Sequence, residues 1–285
     1  MGWVKQTLDE LDVKPSKNRG QNFLNSHNDS ALLVCEAGIE NDEVVIEIGP
    51  GLGSMTEVFI ENGIPVVAVE IENKFVRFLE NKFNSRSDLI KILNLDFRDI
   101  LFSKNLCPDA VLGKSKIKYR LVSNVPYVLS SEVVLWLIKN RSKFSGASIL
   151  VQREFAERIN ASPHTKAYGS LSVLCQLYAF TRLGVKISGD QFHPKAGVES
   201  QQIHFSFPGP FEGEIDNQPL FEKIVRASFS MRRKMLVNNL LSLDLVKSKI
   251  ECQRILESIS LSTKVRAEDL SVEQFIKLYN ILKTN

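Results

Sequence analysis

Cysteine is scarce in this chain. Cys35, Cys107, Cys175 and Cys252 are scattered, and none is spaced for a metal knuckle or a disulfide framework. Four buried free thiols in a reducing, cytoplasmic setting are the expectation. Long apolar runs are missing too: nothing approaches the ~20 residues of a membrane span. The opening Met1-Gly-Trp-Val-Lys-Gln lacks the apolar core of a signal peptide. No internal repeat or low-complexity tract is present. A dinucleotide fingerprint G-x-G-x-x-G starting at Gly49 would need glycine at 54, where Ser54 stands. The single histidines His164, His193 and His204 read as structural or surface residues, and no metal site is expected.

What is present is an ordinary core-forming composition, 44% apolar over 285 residues, enough for one large domain and one small one. The net charge is +3 but unevenly spread. From Leu220 to Asn285 there are 12 Lys/Arg against 7 Asp/Glu, a balance of +5, so the rest of the chain is slightly acidic. Lys14/Lys17/Arg19 and Lys114/Lys116/Lys118/Arg120 are further basic clusters. Such patches suit a polyanion, although any one alone could be a solvated surface.

The chain is organised around Val44-Val-Ile-Glu-Ile-Gly-Pro-Gly-Leu-Gly-Ser54. The apolar run reads as a buried parallel strand, which the glycines break before a helical period resumes at Met55. A glycine turn there lets a ligand approach the backbone. Nineteen residues past Gly51, the next apolar run ends in Glu70, where an acid can grip a ribose diol. This predicts a nucleoside site. The spacing Glu47-x-Gly49-x-Gly51-x-Gly53 resembles the first motif of S-adenosylmethionine-dependent methyltransferases.

Further strands are expected at 89–95, 119–123, 147–151, 180–187 and 202–207, with helices between them. This alternation argues for a doubly wound α/β fold with a mostly parallel seven-stranded sheet. Residues 1–207 are expected to form the catalytic domain, with 1–30 as an irregular arm in which Gly20-Gln-Asn-Phe-Leu24 could fold over a ligand. Pro208-Gly-Pro opens a linker over 208–218, and 219–285 is a small all-helical domain.

Gly49, Glu70, Asp96 and Asn124 all sit at the carboxyl ends of successive strands, where open parallel sheets collect ligands. Any one acid there is more often a helix cap; the four together suit a nucleoside. Glu70 would accept from ribose, Asp96 from the adenine amine, and Gly49 and Gly51 would leave room for a methionine portion. Asn124-Val-Pro-Tyr127 would carry the reaction. The Asn124 oxygen and a backbone carbonyl within Val125-Pro126 can bind the two N–H groups of an aryl amine. This aligns its lone pair with a methyl donor by positioning alone. Pro126 fixes the turn, and Tyr127 can stack on a base, which must be flipped out of any helix to reach it. Arg153, Glu154, Glu157 and Arg158 mark an exposed helix side. Lys166 and Tyr168 are candidate RNA contacts in a loop, and Arg232, Arg233 and Lys234 place three cations on an expected helix.

These residues together resemble the small-subunit (16S) ribosomal RNA adenine N6-dimethyltransferases of the KsgA type. The resemblance runs from about Lys14 to Leu282. It rests on Gly20–Leu24, Glu47–Gly53, Asn124–Tyr127, Val151-Gln-Arg-Glu-Phe-Ala-Glu-Arg158, Tyr168–Val173 and Phe229-Ser-Met-Arg-Arg-Lys-Met-Leu-Val-Asn-Asn-Leu240. It implies a class I (Rossmann-like) methyltransferase fold, S-adenosylmethionine as donor, and two methyl groups on each of two adjacent adenines near the 3′ end of 16S rRNA. It also implies an immature small subunit as partner, late in assembly, and the default is a monomer. Cofactor contacts fall on Asn22, Leu24, Gly49, Glu70, Asp96 and Asn124, and the target base on Asn124 and Tyr127. Val125, Ser170 and Ala196 depart from the usual family pattern. The first four motifs are shared in looser form with large-subunit, antibiotic-resistance methyltransferases; Tyr168–Val173 and Phe229–Leu240 favour the small-subunit branch. A non-catalytic assembly factor is the other alternative.

Overall fold

The computed structural model describes every residue except Met1, 17–19, 104–105, 112–116, Asp244 and Asn285. Lys17, Arg19, Lys114 and Lys116 therefore lie outside the described residues. The chain divides into two compact units, one holding residues 1–156 and 182–207, the other 157–181 and 208–285. The second break falls at the Pro208-Gly-Pro punctuation. Residues 157–181, assigned from pattern to the first domain, belong to the second unit, because Tyr168 and the helix that follows it bury apolar side chains among the C-terminal helices.

Among the described residues, helices α1 (Trp3–Glu10), α2 (His27–Glu36), α3 (Ser54–Glu61), α4 (Asn73–Lys82) and α5 (Ser130–Lys139) belong to the first unit. Strands β1 (Phe23–Leu24) and β8 (Phe192–His193) form a short antiparallel ribbon. The main sheet has seven strands in the order β4 (Ile90–Leu93), β3 (Val66–Val69), β2 (Glu43–Ile48), β5 (Lys118–Asn124), β6 (Phe144–Gln152), β9 (Ser200–Ser206), β7 (Phe180–Ile187). β4, β3, β2, β5 and β6 run parallel, and β9 is antiparallel to β6. All six residues of β2 are buried, as a strand covered on both faces must be. The chain runs outward from β2 to β4, then returns to place β5 on the other side of β2. That reversal makes a crevice at the carboxyl ends of β2 and β5, between Ile48 and Asn124.

The N-terminal arm is more ordered than its polarity suggests. Val4 and Leu8, one helical turn apart, are buried with Phe23, Leu52 and Phe75. Each such burial contributes about 1.5–3 kcal/mol, which is what turns a polar segment into α1. Trp3 Nε1 donates to the Asn25 carbonyl (3.0 Å), and Lys74 Nζ donates to the Leu11 and Asp12 carbonyls (3.2 and 2.7 Å) at the helix end.

The second unit contains α7 (Ser170–Tyr178), α8 (Gln218–Ser228), α9 (Leu236–Leu240), α10 (Lys249–Ser258) and α11 (Val272–Leu282); α6 (Arg153–Ile159) spans the boundary. Its core is aromatic: Tyr168 packs edge-on against Phe229, Phe229 against Phe275, and Phe221 against Tyr279. Ser271 and Gln274 form a reciprocal capping box at the start of α11.

Candidate active site

Asn22, Leu24, Gly49, Gly51, Glu70, Asp96, Asn124, Pro126 and Tyr127 all line one cavity of about 500 Å³ at the sheet's reversal point. That volume is within the range of small-molecule sites, roughly 300–1,000 Å³. Gly49 N–H donates to the Val69 carbonyl and Glu70 N–H to the Leu93 carbonyl, both at 2.9 Å, so each strand end is pinned to its neighbour. Ser123 Oγ donates to the Ile48 carbonyl at 2.6 Å and locks β5 to the glycine loop.

The glycines are required by the protein itself. Gly49 sits at φ +68° and Gly51 at φ +56°, a region that disfavours side chains. A Cβ on Gly51 would stand 2.8 Å from the Phe23 ring. Thus the close approach at Gly51 is made by Phe23 of the arm, where the sequence suggested room for a ligand.

Two buried carboxyls lie under this loop. Glu47 accepts from Thr56 Oγ1 at 2.5 Å, and burial pushes its carboxyl up to about 8, with the Glu70 charge adding in the same direction. Glu70 is 6% exposed. Its oxygens accept from Gly51 N–H (3.2 Å) and Glu72 N–H (2.9 Å), tying the second strand's acid to the first strand's loop. Burial raises its pKa despite the opposing backbone donors.

Asp96 is held by a residue that sequence reasoning passed over. Arg98 grips it through Nε (2.8 Å) and Nη2 (2.6 Å), and reaches Glu132 with Nη1 (3.1 Å). The guanidinium holds the Asp96 carboxyl below the usual carboxylate range. A carboxylate has about four acceptor positions, so this fork leaves capacity for a ligand amine. The spacing Asp-x-Arg was the only available signal.

The Asn124 amide donates from Nδ2 to the Asn22 carbonyl at 3.1 Å, which leaves Oδ1 as the acceptor end. Val125 N–H donates to the Leu150 carbonyl (3.1 Å), and the Pro126 carbonyl accepts from Leu129 N–H (2.8 Å), closing a 3-10 turn before α5. The Tyr127 hydroxyl shares a 2.6 Å hydrogen bond with Ser200 Oγ on β9, and burial raises its pKa. No local pattern connects positions 127 and 200; only the sheet does.

The expected RNA contacts separate. Lys166, Arg233 and Lys234 are exposed. Tyr168 is fully buried with its hydroxyl unpartnered, so it is a core residue and not a surface contact. Arg232 donates to the Lys166 and Tyr168 carbonyls at 2.8 Å each, stapling that loop. The cationic triplet is not on a helix: α8 ends at Ser228 and residues 229–234 form turns. Arg153, Glu154, Glu157 and Arg158 are exposed as expected. Of the single histidines, His164 lies at the surface and His204 in the core. His164 meets Asp269 at 3.2 Å. His204, buried, meets Ser148 at 2.8 Å with its pKa driven down to about 4 by burial. All four cysteines are free; Cys35 alone among them is exposed.

Comparison with known proteins places this arrangement. Residues 14–284 match the family model "Ribosomal RNA adenine dimethylase". The chain is similar to ribosomal RNA small subunit methyltransferase A from Clostridium botulinum (strain Kyoto / Type A2), at 33% identity over 98% of this chain and 99% of the relative. The protein of the same name from Syntrophus aciditrophicus (strain SB) is 35% identical over 99% of each. In fold it is similar to a dimethyladenosine transferase from Plasmodium falciparum, with a TM-score of 0.75 at 20% identity over 92% of this chain and 98% of that one. With a family match over nearly the whole length and relatives above 30% identity across it, the chain belongs to the ribosomal RNA adenine dimethylase family.

Proposed function

We propose that this protein is the enzyme that dimethylates N6 of adenines in 16S rRNA, with S-adenosylmethionine as methyl donor. The observation that carries the reading is the Asn124 amide, turned by the Asn22 carbonyl so that its oxygen is the free end, in a cavity that Glu70 and Asp96 also line. When bound, the donor supplies an electrophilic methyl group on a sulfonium. The donor set suits it: buried Glu70 for ribose hydroxyls, Asp96 for an exocyclic amine, and the Gly49 loop for the amino-acid portion, with Asn22 and Leu24 of the arm completing the wall.

Asn124 Oδ1 accepts a hydrogen bond from one N–H of the target amine. The Pro126 carbonyl is engaged by Leu129, so the second N–H of the amine donates to the Val125 carbonyl. Both acceptors localise the nitrogen lone pair and orient it, and no side chain need titrate. Tyr127, held by Ser200, offers its ring to the flipped base. Lys166, Arg233 and Lys234 are suited to phosphate contact, together with Lys17 and Arg19. The natural substrate in this reading is an immature small subunit late in assembly, met in the cytoplasm by a monomer.

The test is transfer of labelled methyl from S-adenosylmethionine to small subunits from a strain lacking the modification, with large subunits and naked rRNA alongside. Label recovered as N6,N6-dimethyladenosine in small subunits alone is the expected result. Label in large-subunit RNA would move the protein to the resistance-type branch, and tight binding without label would make it an assembly factor.

A further inference from the structure

The stretch Val151-Gln-Arg-Glu carries an ion pair that the site as described does not use. In the β5–β6 ladder Asn124 faces Leu150. Three residues on, just past the end of β6 and at the start of α6, Arg153 Nη1 meets Glu199 Oε2 at 2.6 Å, and Arg153 N–H donates to the Glu199 carbonyl at 2.9 Å. The next residue, Ser200, faces Gln152 across the ladder and holds the Tyr127 hydroxyl. The ion pair therefore stands one residue beyond the group that orients Tyr127, past the carboxyl end of the strand beside Asn124.

Arg153 and Glu199 keep 46% and 48% of their side-chain surface exposed. An ion pair this open is weak and screened, whereas a guanidinium takes a phosphate through two parallel charge-assisted bonds. A base inserted between Asn124 and Tyr127 leaves its sugar and phosphate outside the cavity, and a flipped nucleotide must be held there against restacking.

We propose that Arg153 anchors the phosphate of the nucleotide being methylated, and that Glu199 holds the guanidinium in place until the RNA strand exchanges for it. This inference rests on the adenine-methylating reading above. Arg153 is then a positioning residue for the target strand, and the chemistry stays with the Asn124–Tyr127 turn.

The experiment compares wild type with Arg153→Ala, Arg153→Lys and Glu199→Gln, using S-adenosylmethionine and unmodified small subunits across a salt series. Arg153→Ala is expected to raise KM for subunits roughly tenfold and to lower the salt slope by about one, as loss of one phosphate contact should. kcat, cofactor Kd and Tm should stay near wild type, and Arg153→Lys should recover part of the loss. Glu199→Gln should leave KM unchanged or lower it, because it removes a carboxylate that competes with phosphate for the guanidinium. If Arg153→Ala and Glu199→Gln impair turnover equally and lower Tm together, the pair is only a structural staple and the inference falls. It falls also if Arg153→Ala keeps the wild-type KM at every salt concentration. A wild-type protein that methylates no small subunit overturns the underlying reading and this inference with it; wild-type turnover with an indifferent Arg153→Ala overturns the inference alone.

Discussion

At the scale of single residues, the site works by fixing orientations. Asn124 is useful because its amide nitrogen is already committed to Asn22, so the oxygen end needs no selection when a base arrives. Asn124→Ala should therefore lower kcat by at least about 10²-fold, the cost of misplacing a reacting group. RNA affinity in a filter-binding assay should stay near wild type; undiminished turnover would remove Asn124 from the reaction.

Glu47 gives a second prediction at this scale. Its folded pKa, about 8, lies above the ordinary 4.5, so the native state holds a proton that the unfolded chain has released. The Glu47 contribution to stability then falls as pH rises from about 4.5 to about 8, and is complete only below that window. Glu47→Gln cannot ionise and keeps an acceptor for Thr56. Urea unfolding from pH 5 to pH 8 should show a smaller loss of stability for the variant than for wild type. Parallel curves would show that Glu47 is ionised throughout.

At the scale of elements, the glycine loop and the arm form one piece. Phe23 occupies the space that a Gly51 side chain would need, and it packs edge-on against Phe75, 5.6 Å between centroids. Gly51→Ala must displace the ring and bear a positive φ. It should cost at least about 1–2 kcal/mol in denaturant unfolding and weaken cofactor binding in calorimetry. Tyr168 makes the opposite case. Its hydroxyl is buried without a partner, so Tyr168→Phe should be neutral or stabilising by up to about 1 kcal/mol in thermal unfolding, with methyl transfer unchanged. Loss of RNA affinity in that variant would return Tyr168 to the binding surface.

At the scale of the whole molecule, the net charge of +3 hides an excess of +5 in the last 66 residues. RNA binding should weaken with added salt, and Arg233→Ala or Lys234→Ala should each lower the slope of log Kd against log salt by about one. Arg232→Ala should differ from both. It removes two hydrogen bonds to the 166–168 loop, so a lower Tm is expected along with any change in affinity. Equal Tm values for all three variants would deny Arg232 its structural role.

The alternation of apolar runs with helical periods was enough to determine the strands of the main sheet, its mostly parallel character and the residues at the carboxyl ends of the central strands, because periodicity and glycine turns are local properties. The polar or glycine residue at or just past the end of each of these strands, Gly49, Glu70, Asp96 or Asn124, is likewise a local property. Contacts between distant positions were decided only by the tertiary structure. Arg98 on Glu132, Ser200 on Tyr127, and Phe23 on Gly51 each join segments whose patterns carry no sign of one another. Burial belongs to the same class. Tyr168 and Arg232 read as surface groups from composition, and it is the packing around Phe229 and the free carbonyls of one loop that draws one inside and turns the other into a staple.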